Sequence, residues 1–172
     1  MLVRQLHTEG TIILAQKQNR SSDPKEPELI VVRQTPDLPP WLPRTKLERF
    51  LHDEMAPWED TAPDIARALT YAFSDQPGMG GFAVLACAGE QLHGATVILD
   101  TGMSGYVPDH LLLFIAVRKD QRGKGLGSRL IRKALGLCSG DVKLHVENDN
   151  PAKRLYERLG FENRYAEMRW QR

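Results

Sequence analysis

Three glycines at alternate positions, Gly123, Gly125 and Gly127, stand in the stretch Val117-Arg-Lys-Asp-Gln-Arg-Gly-Lys-Gly-Leu-Gly-Ser-Arg-Leu130, and they limit what the chain can fold into more than any other feature. Before them, Leu111 to Val117 is an unbroken apolar run that fits a central strand buried on both faces. After them, residues from about Gly125 to Leu137 repeat at helical spacing. A strand thus turns into a helix across backbone with no side chain at every second position. The N–H groups at such a helix start are open to close approach, and the helix dipole favours an anion there. Arg118, Lys119, Arg122 and Lys124 surround the turn, so diphosphate is its natural occupant. The dinucleotide spacing G-x-G-x-x-G fails because Ser128 takes the place of its third glycine, and G-x-x-x-x-G-K-S/T is absent from the sequence. A turn that is merely tight explains one or two of the glycines, not three in a cationic setting.

The rest of the chain supplies a sheet for this turn. Leu2 to Ala15 can form a hairpin about Glu9-Gly10, and residues 16–28 contain almost nothing that could be buried, so they read as a linker. The chain divides on this basis into an arm, 1–27, and one domain, 28–172. Glu28 to Gln34 gives a β-branched strand. Leu47, Phe50, Leu51, Met55 and Trp58 recur at helical spacing, as do Ile65, Leu69, Ala72 and Phe73 after the start signal Thr61-Ala-Pro-Asp. Phe82–Ala88 and His93–Leu99 flank Gly89-Glu90 as a hairpin. Beyond the glycine turn come a strand over Val142–Val146, a helix over Pro151–Leu159 with Asn150 as its N-cap, and a final strand over Tyr165–Trp170. The order β-α-α-β-β-β-α-β-α-β implies a mixed α/β sheet with helices on its faces.

Composition excludes several classes. With 172 residues, 41% hydrophobic and 26% charged, the chain has globular averages. Its longest apolar runs fall far short of the ~20 residues of a membrane span. The first ten residues lack the features of a secretory signal, and Cys87 and Cys138 both sit in apolar surroundings. A reduced cytoplasmic setting is expected. Five scattered histidines and two distant cysteines give no metal-ligand spacing. Net charge is +1, but residues 111–172 hold 14 Lys+Arg against 7 Asp+Glu, and residues 1–110 hold 9 against 15. A basic C-terminal half suits a phosphorylated cofactor and an acidic N-terminal half a cationic partner. Nucleic acid is not expected as a partner, for want of a recognition motif or stacking platform.

Two motifs carry a family resemblance. Arg122-Gly-Lys-Gly-Leu-Gly127 matches the Q/R-x-x-G-x-G/A signature of the GNAT acyl-CoA-dependent N-acetyltransferases, and Asn150-Pro-Ala-Lys-Arg-Leu-Tyr-Glu-Arg-Leu-Gly-Phe161 resembles their N-x-A-x-x-L-Y-x-x-x-G-F block. The resemblance covers residues 111–161. It implies a mixed central sheet whose strand Leu111–Val117 carries a bulge and splays from Val142–Val146, leaving a V-shaped cleft for acetyl-CoA. By position the backbone of Ile115, Ala116 and Val117 would contact pantetheine. The N–H groups of Arg122, Gly123, Lys124, Gly125, Leu126, Gly127 and Ser128 would hold the pyrophosphate. Asn150 matches the asparagine that contacts the cofactor arm, although N-capping accounts for it almost as well.

The same resemblance makes Tyr156 the acid that protonates the departing thiolate, against a purely packing role. Many relatives carry a glutamate on the strand before the turn, whereas Leu111–Val117 has no carboxylate. Glu147 and His145 are the substitute bases, with His110 a third. Leu51 to Ala66 contains no Lys or Arg and holds Asp53, Glu54, Glu59, Asp60 and Asp64. Asp53 and Glu54 would draw a cationic acceptor, such as a polyamine or the amine of a peptide or protein, unless the stretch is only a solvated face. The expected activity is direct acetyl transfer from acetyl-CoA to a primary amine, without a metal. The alternative is a non-catalytic acyl-CoA-binding regulatory module. A homodimer is a further partner expectation.

Overall fold

The structure, a computed structural model, describes residues 26–170. The expected hairpin over Leu2–Ala15 and most of the polar stretch 16–28 lie outside the described residues. Arg129 ties residues 26–27 to the domain, pairing with Glu26 at 2.8 Å and donating to the Pro27 carbonyl at 3.2 Å.

In chain order the elements are β1 (Glu28–Val32), α1 (Arg44–Met55), α2 (Ala62–Ala72), β2 (Gly81–Ala88), β3 (Gln91–Asp100), β4 (His110–Val117), α3 (Leu126–Leu135), β5 (Val142–Leu144) and α4 (Lys153–Arg158). The sheet follows the same order, β1-β2-β3-β4-β5. The first four strands are antiparallel neighbours, and β5 is parallel to β4. Thr61 caps α2 by accepting from the Asp64 N–H, as its position before an apolar-periodic segment predicts. Helices α1 and α2 cover one sheet face, where Leu47, Leu51, Ile65 and Leu69 meet Leu85, Val97 and Phe114. Helices α3 and α4 cover the other, where Leu130, Ile131 and Tyr156 meet Val84, Ile98 and Leu112.

Three sequence expectations are corrected. First, β4 is buried less completely than expected: Leu112 is enclosed on the α3–α4 face and Phe114 and Ala116 on the α1–α2 face, but Leu111, Leu113, Ile115 and Val117 are only half-buried. The strand enclosed along nearly its whole length is β2, from Phe82 to Cys87, because full-length neighbours β1 and β3 flank it with helices on both sides. Second, α4 begins two residues later than Pro151. The Asn150 Oδ1 accepts from the Ala152 N–H at 2.9 Å and its carbonyl from Lys153 at 3.1 Å, so Asn150 closes a turn ahead of the helix rather than capping it. Third, residues 161–170 form no strand, and beyond the half-buried Phe161 they lie exposed. A strand needs an edge to pair with. Among the described residues no ladder joins this segment to β5.

Candidate functional site

The glycine turn forms where the apolar code of β4 stops at Val117. A 3-10 turn over Lys119–Gln121 follows, then Gly123 and Gly125 with φ of +75° and +83°. Both are left-handed positions that favour glycine, and a Cβ on either would meet nothing within 4 Å, so the space above them is open. Gly125 is also the N-cap of α3. The first α3 bond runs from Arg129 N–H to the Gly125 carbonyl at 3.1 Å. Among the described residues, the N–H groups from Gly123 through Ser128 are bonded to no protein acceptor. Six donors at a helix start, over open space, could hold an anion such as diphosphate.

The arginines near the turn hold it together instead of facing its open side. Arg122 donates to the Val117 carbonyl at 2.9 Å and to the Glu54 carbonyl at 2.6 Å. Glu54, at the end of α1, accepts from the Lys119 N–H at 3.0 Å and lies 3.5 Å from the Arg122 guanidinium. Arg118 grips Asp120 through two bonds of 2.6 and 2.8 Å, and that pairing holds the Asp120 carboxyl below its usual range. The sequence pattern does not disclose this brace, because Glu54 lies 68 residues before Arg122 and only the α1–β4 packing brings them together. Behind the turn, both ring nitrogens of His93 are buried without a completed hydrogen bond. Burial, with Arg118 beside it, pushes that imidazole below its ordinary value.

The bulge and the splay are both present. Val97 pairs with Phe114 and Ile98 with Leu112, leaving Leu113 unmatched on β4. Leu113 and Phe114 consequently both face the α1–α2 core. The β4–β5 ladder holds three pairs, His110–Val142, Leu111–Lys143 and Leu112–Leu144. Beyond Leu112 the strands part, so the β4 backbone from Leu113 to Val117 lacks a strand neighbour on that side among the described residues. Ile115 and Val117 face the α3–α4 side of the sheet. A Cβ on Gly127 would meet Leu155 at 3.3 Å, Val117 at 3.7 Å and Ile115 at 3.9 Å, so β4, the start of α3 and α4 converge there. The side chains of Ala116 and Leu126 are buried, which leaves only their backbone for a ligand. Ser128 lies 3.4 Å from the Arg132 Nε, and Lys124 3.4 Å from the Gln121 amide oxygen.

On α4, Tyr156 is 7% exposed, edge-on to Phe161 at 5.9 Å between ring centres. Burial pushes its phenol from 10 up to about 12, which keeps it protonated. Asn150 uses its Oδ1 on the turn and leaves its amide N–H groups without a protein partner among the described residues. His145 and Glu147 are exposed just beyond β5. His110 is at the other end of β4 from the turn, roughly 23 Å away at the usual rise per residue. Its Nδ1 meets Asp100 at 2.9 Å and its Nε2 accepts from the Ser139 N–H at 3.3 Å, so it ties β3 to the segment after α3. Of the acidic stretch, Asp64 serves Thr61 and Arg67, Glu54 serves the turn, and Asp53, Glu59 and Asp60 are exposed.

The turn and the parted strands fit an acyl-CoA: unspent donors over an open cradle, then free strand backbone leading inward. Among the described residues there is no group of His, Cys, Asp and Glu that could hold a metal, and no helix long and apolar enough to cross a membrane. Residues 79–163 match the model of the acetyltransferase (GNAT) domain. No curated protein matches the chain. Solved structures share the fold. An aminoglycoside N-acetyltransferase in complex with CoA is 14% identical, covering 87% of this chain and 98% of its own, with a TM-score of 0.61. A GNAT-family acetyltransferase from Streptococcus pneumoniae is 22% identical, covering 84% and 98%, with a TM-score of 0.58. A ribosomal-protein-alanine N-acetyltransferase from Brucella melitensis is 16% identical over 84% and 98%, with a TM-score of 0.58. With the matched domain spanning the turn, both parted strands and the tyrosine helix, the chain belongs to the GNAT acetyltransferase superfamily.

Proposed function

We propose that the protein transfers the acetyl group of acetyl-CoA directly to a primary amine on a cationic acceptor, a polyamine or a basic peptide or protein amine. The observation that carries this reading is the parting of β4 from β5 after Leu112, between the glycine turn and the buried, neutral phenol of Tyr156. When bound, acetyl-CoA supplies an activated acetyl thioester. The N–H groups from Gly123 to Ser128 hold diphosphate, the Ile115 and Val117 backbone pairs with the amide-bearing arm as a strand would, and the Asn150 amide steadies it.

Tyr156 donates its proton to the departing thiolate, and water returns one. An acceptor amine must lose a proton as its C–N bond forms. Glu147 or His145, exposed just beyond β5, takes it through water. Asp53, Glu59 and Asp60 give the α1–α2 side an acidic border that attracts the acceptor by long-range charge. Cys87 and Cys138 are free thiols, which goes with a reducing cytoplasm. The test is thiol release from acetyl-CoA across neutral, anionic and cationic amines. Turnover fastest with cationic amines supports the reading. CoA binding by calorimetry with no thiol release for any amine makes the chain a binding module.

A further inference from the structure

Among the described residues two polar or charged side chains are buried, Thr96 and His110, and Thr96 has no part in the site as built so far. It is fully enclosed in β3, with Val84 opposite it on β2 and Ile115 opposite it on β4. A hydroxyl in such aliphatic surroundings is costly unless it is bonded, and valine would fill the same space with the same β-branched shape. The Thr96 hydroxyl donates to the Phe114 carbonyl at 2.8 Å.

Phe114 is the first residue after the unmatched Leu113, where a bulge disrupts the ladder. Beyond Leu112 no described strand lies on the other side of β4, so of the two flanking strands only β3 can hold this stretch of backbone. The carbonyl of Phe114 and the N–H of Ile115 belong to one planar trans peptide and point in opposite directions. Anchoring the carbonyl to β3 therefore aims the Ile115 N–H away from β3, into the gap between β4 and β5. The ladder gives the same direction independently. The Arg118 N–H donates to the His93 carbonyl at 2.9 Å, which makes His93–Arg118 a bonded pair. Bonded and non-bonded pairs alternate along antiparallel strands. Gly94–Val117 and Thr96–Ile115 are accordingly non-bonded pairs, and Ile115 and Val117 turn their backbone groups toward the gap.

We propose that Thr96 is a positioning residue for cofactor binding: its hydroxyl clamps the Phe114–Ile115 peptide so that the Ile115 N–H is presented to a carbonyl of the acetyl-CoA arm. Thr96 itself touches no ligand. It does from β3 what a neighbouring strand would do from the other side of β4, and it leaves that side free. The inference rests on the acetyl-CoA reading given above.

The test is calorimetric titration of CoA into the full chain and its Thr96→Val, Thr96→Ala and Thr96→Ser variants, each checked for folding by circular dichroism. Thr96→Val and Thr96→Ala remove the donor with different changes in volume. Both are expected to weaken CoA binding several-fold, up to about tenfold for one neutral hydrogen bond. Thr96→Ser keeps the hydroxyl and is expected to bind as the wild type does. Wild-type affinity in a folded valine or alanine variant makes Thr96 a packing residue and overturns the proposal, whatever the change in stability. A serine variant as weak as the valine one assigns the effect to the lost methyl group and overturns it too. A wild type that binds no CoA overturns the cofactor reading, and the role of Thr96 with it, before any substitution is made.

Discussion

Between β2 and β3 the ladder runs the length of both strands, from Gly81–Leu99 to Ala88–Gln91, whereas between β4 and β5 it holds three pairs and ends at Leu112–Leu144. Both regions use apolar, β-branched and small residues. The first is sealed by two helices on one face and α3 on the other. The second is pried apart, by the bulge at Leu113 and by a β5 of only three residues. The contrast teaches that a sheet makes a binding cleft by leaving a ladder unfinished: the same N–H and C=O groups that hold β2 to β3 are free on β4 to hold a ligand. The sealed region is the rigid part of the sheet, and the unfinished one carries the recognition proposed above.

The comparison predicts that damage on the two sides separates into stability and binding. The largest effect is expected from Leu51→Ala, a fully buried residue of the sealed side. It should lower unfolding free energy by about 2–5 kcal/mol in urea denaturation, with CoA affinity of the folded protein unchanged. A loss of affinity equal to the loss of stability would break the separation. Gly125→Glu should do the reverse. It forces a side chain onto a left-handed backbone position (φ +83°), which misaims the N–H donors of the turn, and adds a like charge; two charge-assisted bonds at about 1.5–3 kcal/mol each give roughly 100-fold weaker CoA binding or more. Unchanged affinity by calorimetry would move the cofactor away from the turn.

Tyr156→Phe tests the chemistry at the junction of the two sides. Turnover should fall about 100-fold with CoA affinity retained, and a wild-type rate would leave the ring a packing group. Its titration has a definite sign. The folded pKa of about 12 lies above the ordinary value of 10, because burial disfavours the phenolate. The stability this contributes is fully present below pH 10 and is lost as pH rises from 10 to 12. Tyr156→Phe should therefore flatten that alkaline decline in a thermal-melt series.

Two smaller effects sharpen the border. Glu54→Gln weakens the brace on Lys119 and Arg122, so the KM for acetyl-CoA should rise several-fold, up to about tenfold for a charged hydrogen bond. The acceptor KM should stay level. Asp53→Asn should do the opposite, raising the KM of a cationic acceptor about two- to threefold at low salt. That effect should fade once screening lengths drop below about 10 Å. Equal responses in the two variants would merge Glu54 and Asp53 into one acidic face, as their adjacency suggests.

That adjacency shows where sequence reading stops. The apolar run into three glycines and a cationic helix start is local: each residue's covalent nature sets its backbone preference, so turn, helix and anion nest are legible from Val117 to Leu130. The Thr61 cap and the Gly89-Glu90 hairpin are legible for the same reason. Burial and pairing are different, being properties of neighbours that arrive from far along the chain. Asp53 and Glu54 read alike, yet the packing of α1 against β4 sends one carboxylate to the turn and leaves the other in water. Arg122 reads as a ligand for phosphate, yet its guanidinium is spent on two carbonyls.

Residues 165–170 alternate as a strand should, yet a strand exists only where another strand pairs with it, and among the described residues none does so here. By itself the sequence determined the elements from β1 to α4, their order and the glycine turn, because those follow from backbone preference and apolar period over a few residues. Tertiary structure alone decided that no strand follows α4 among the described residues, which strand is enclosed along nearly its whole length, where the β4–β5 ladder ends and which charges are consumed as braces. Each of those depends on residues that only the folded chain brings within reach of one another.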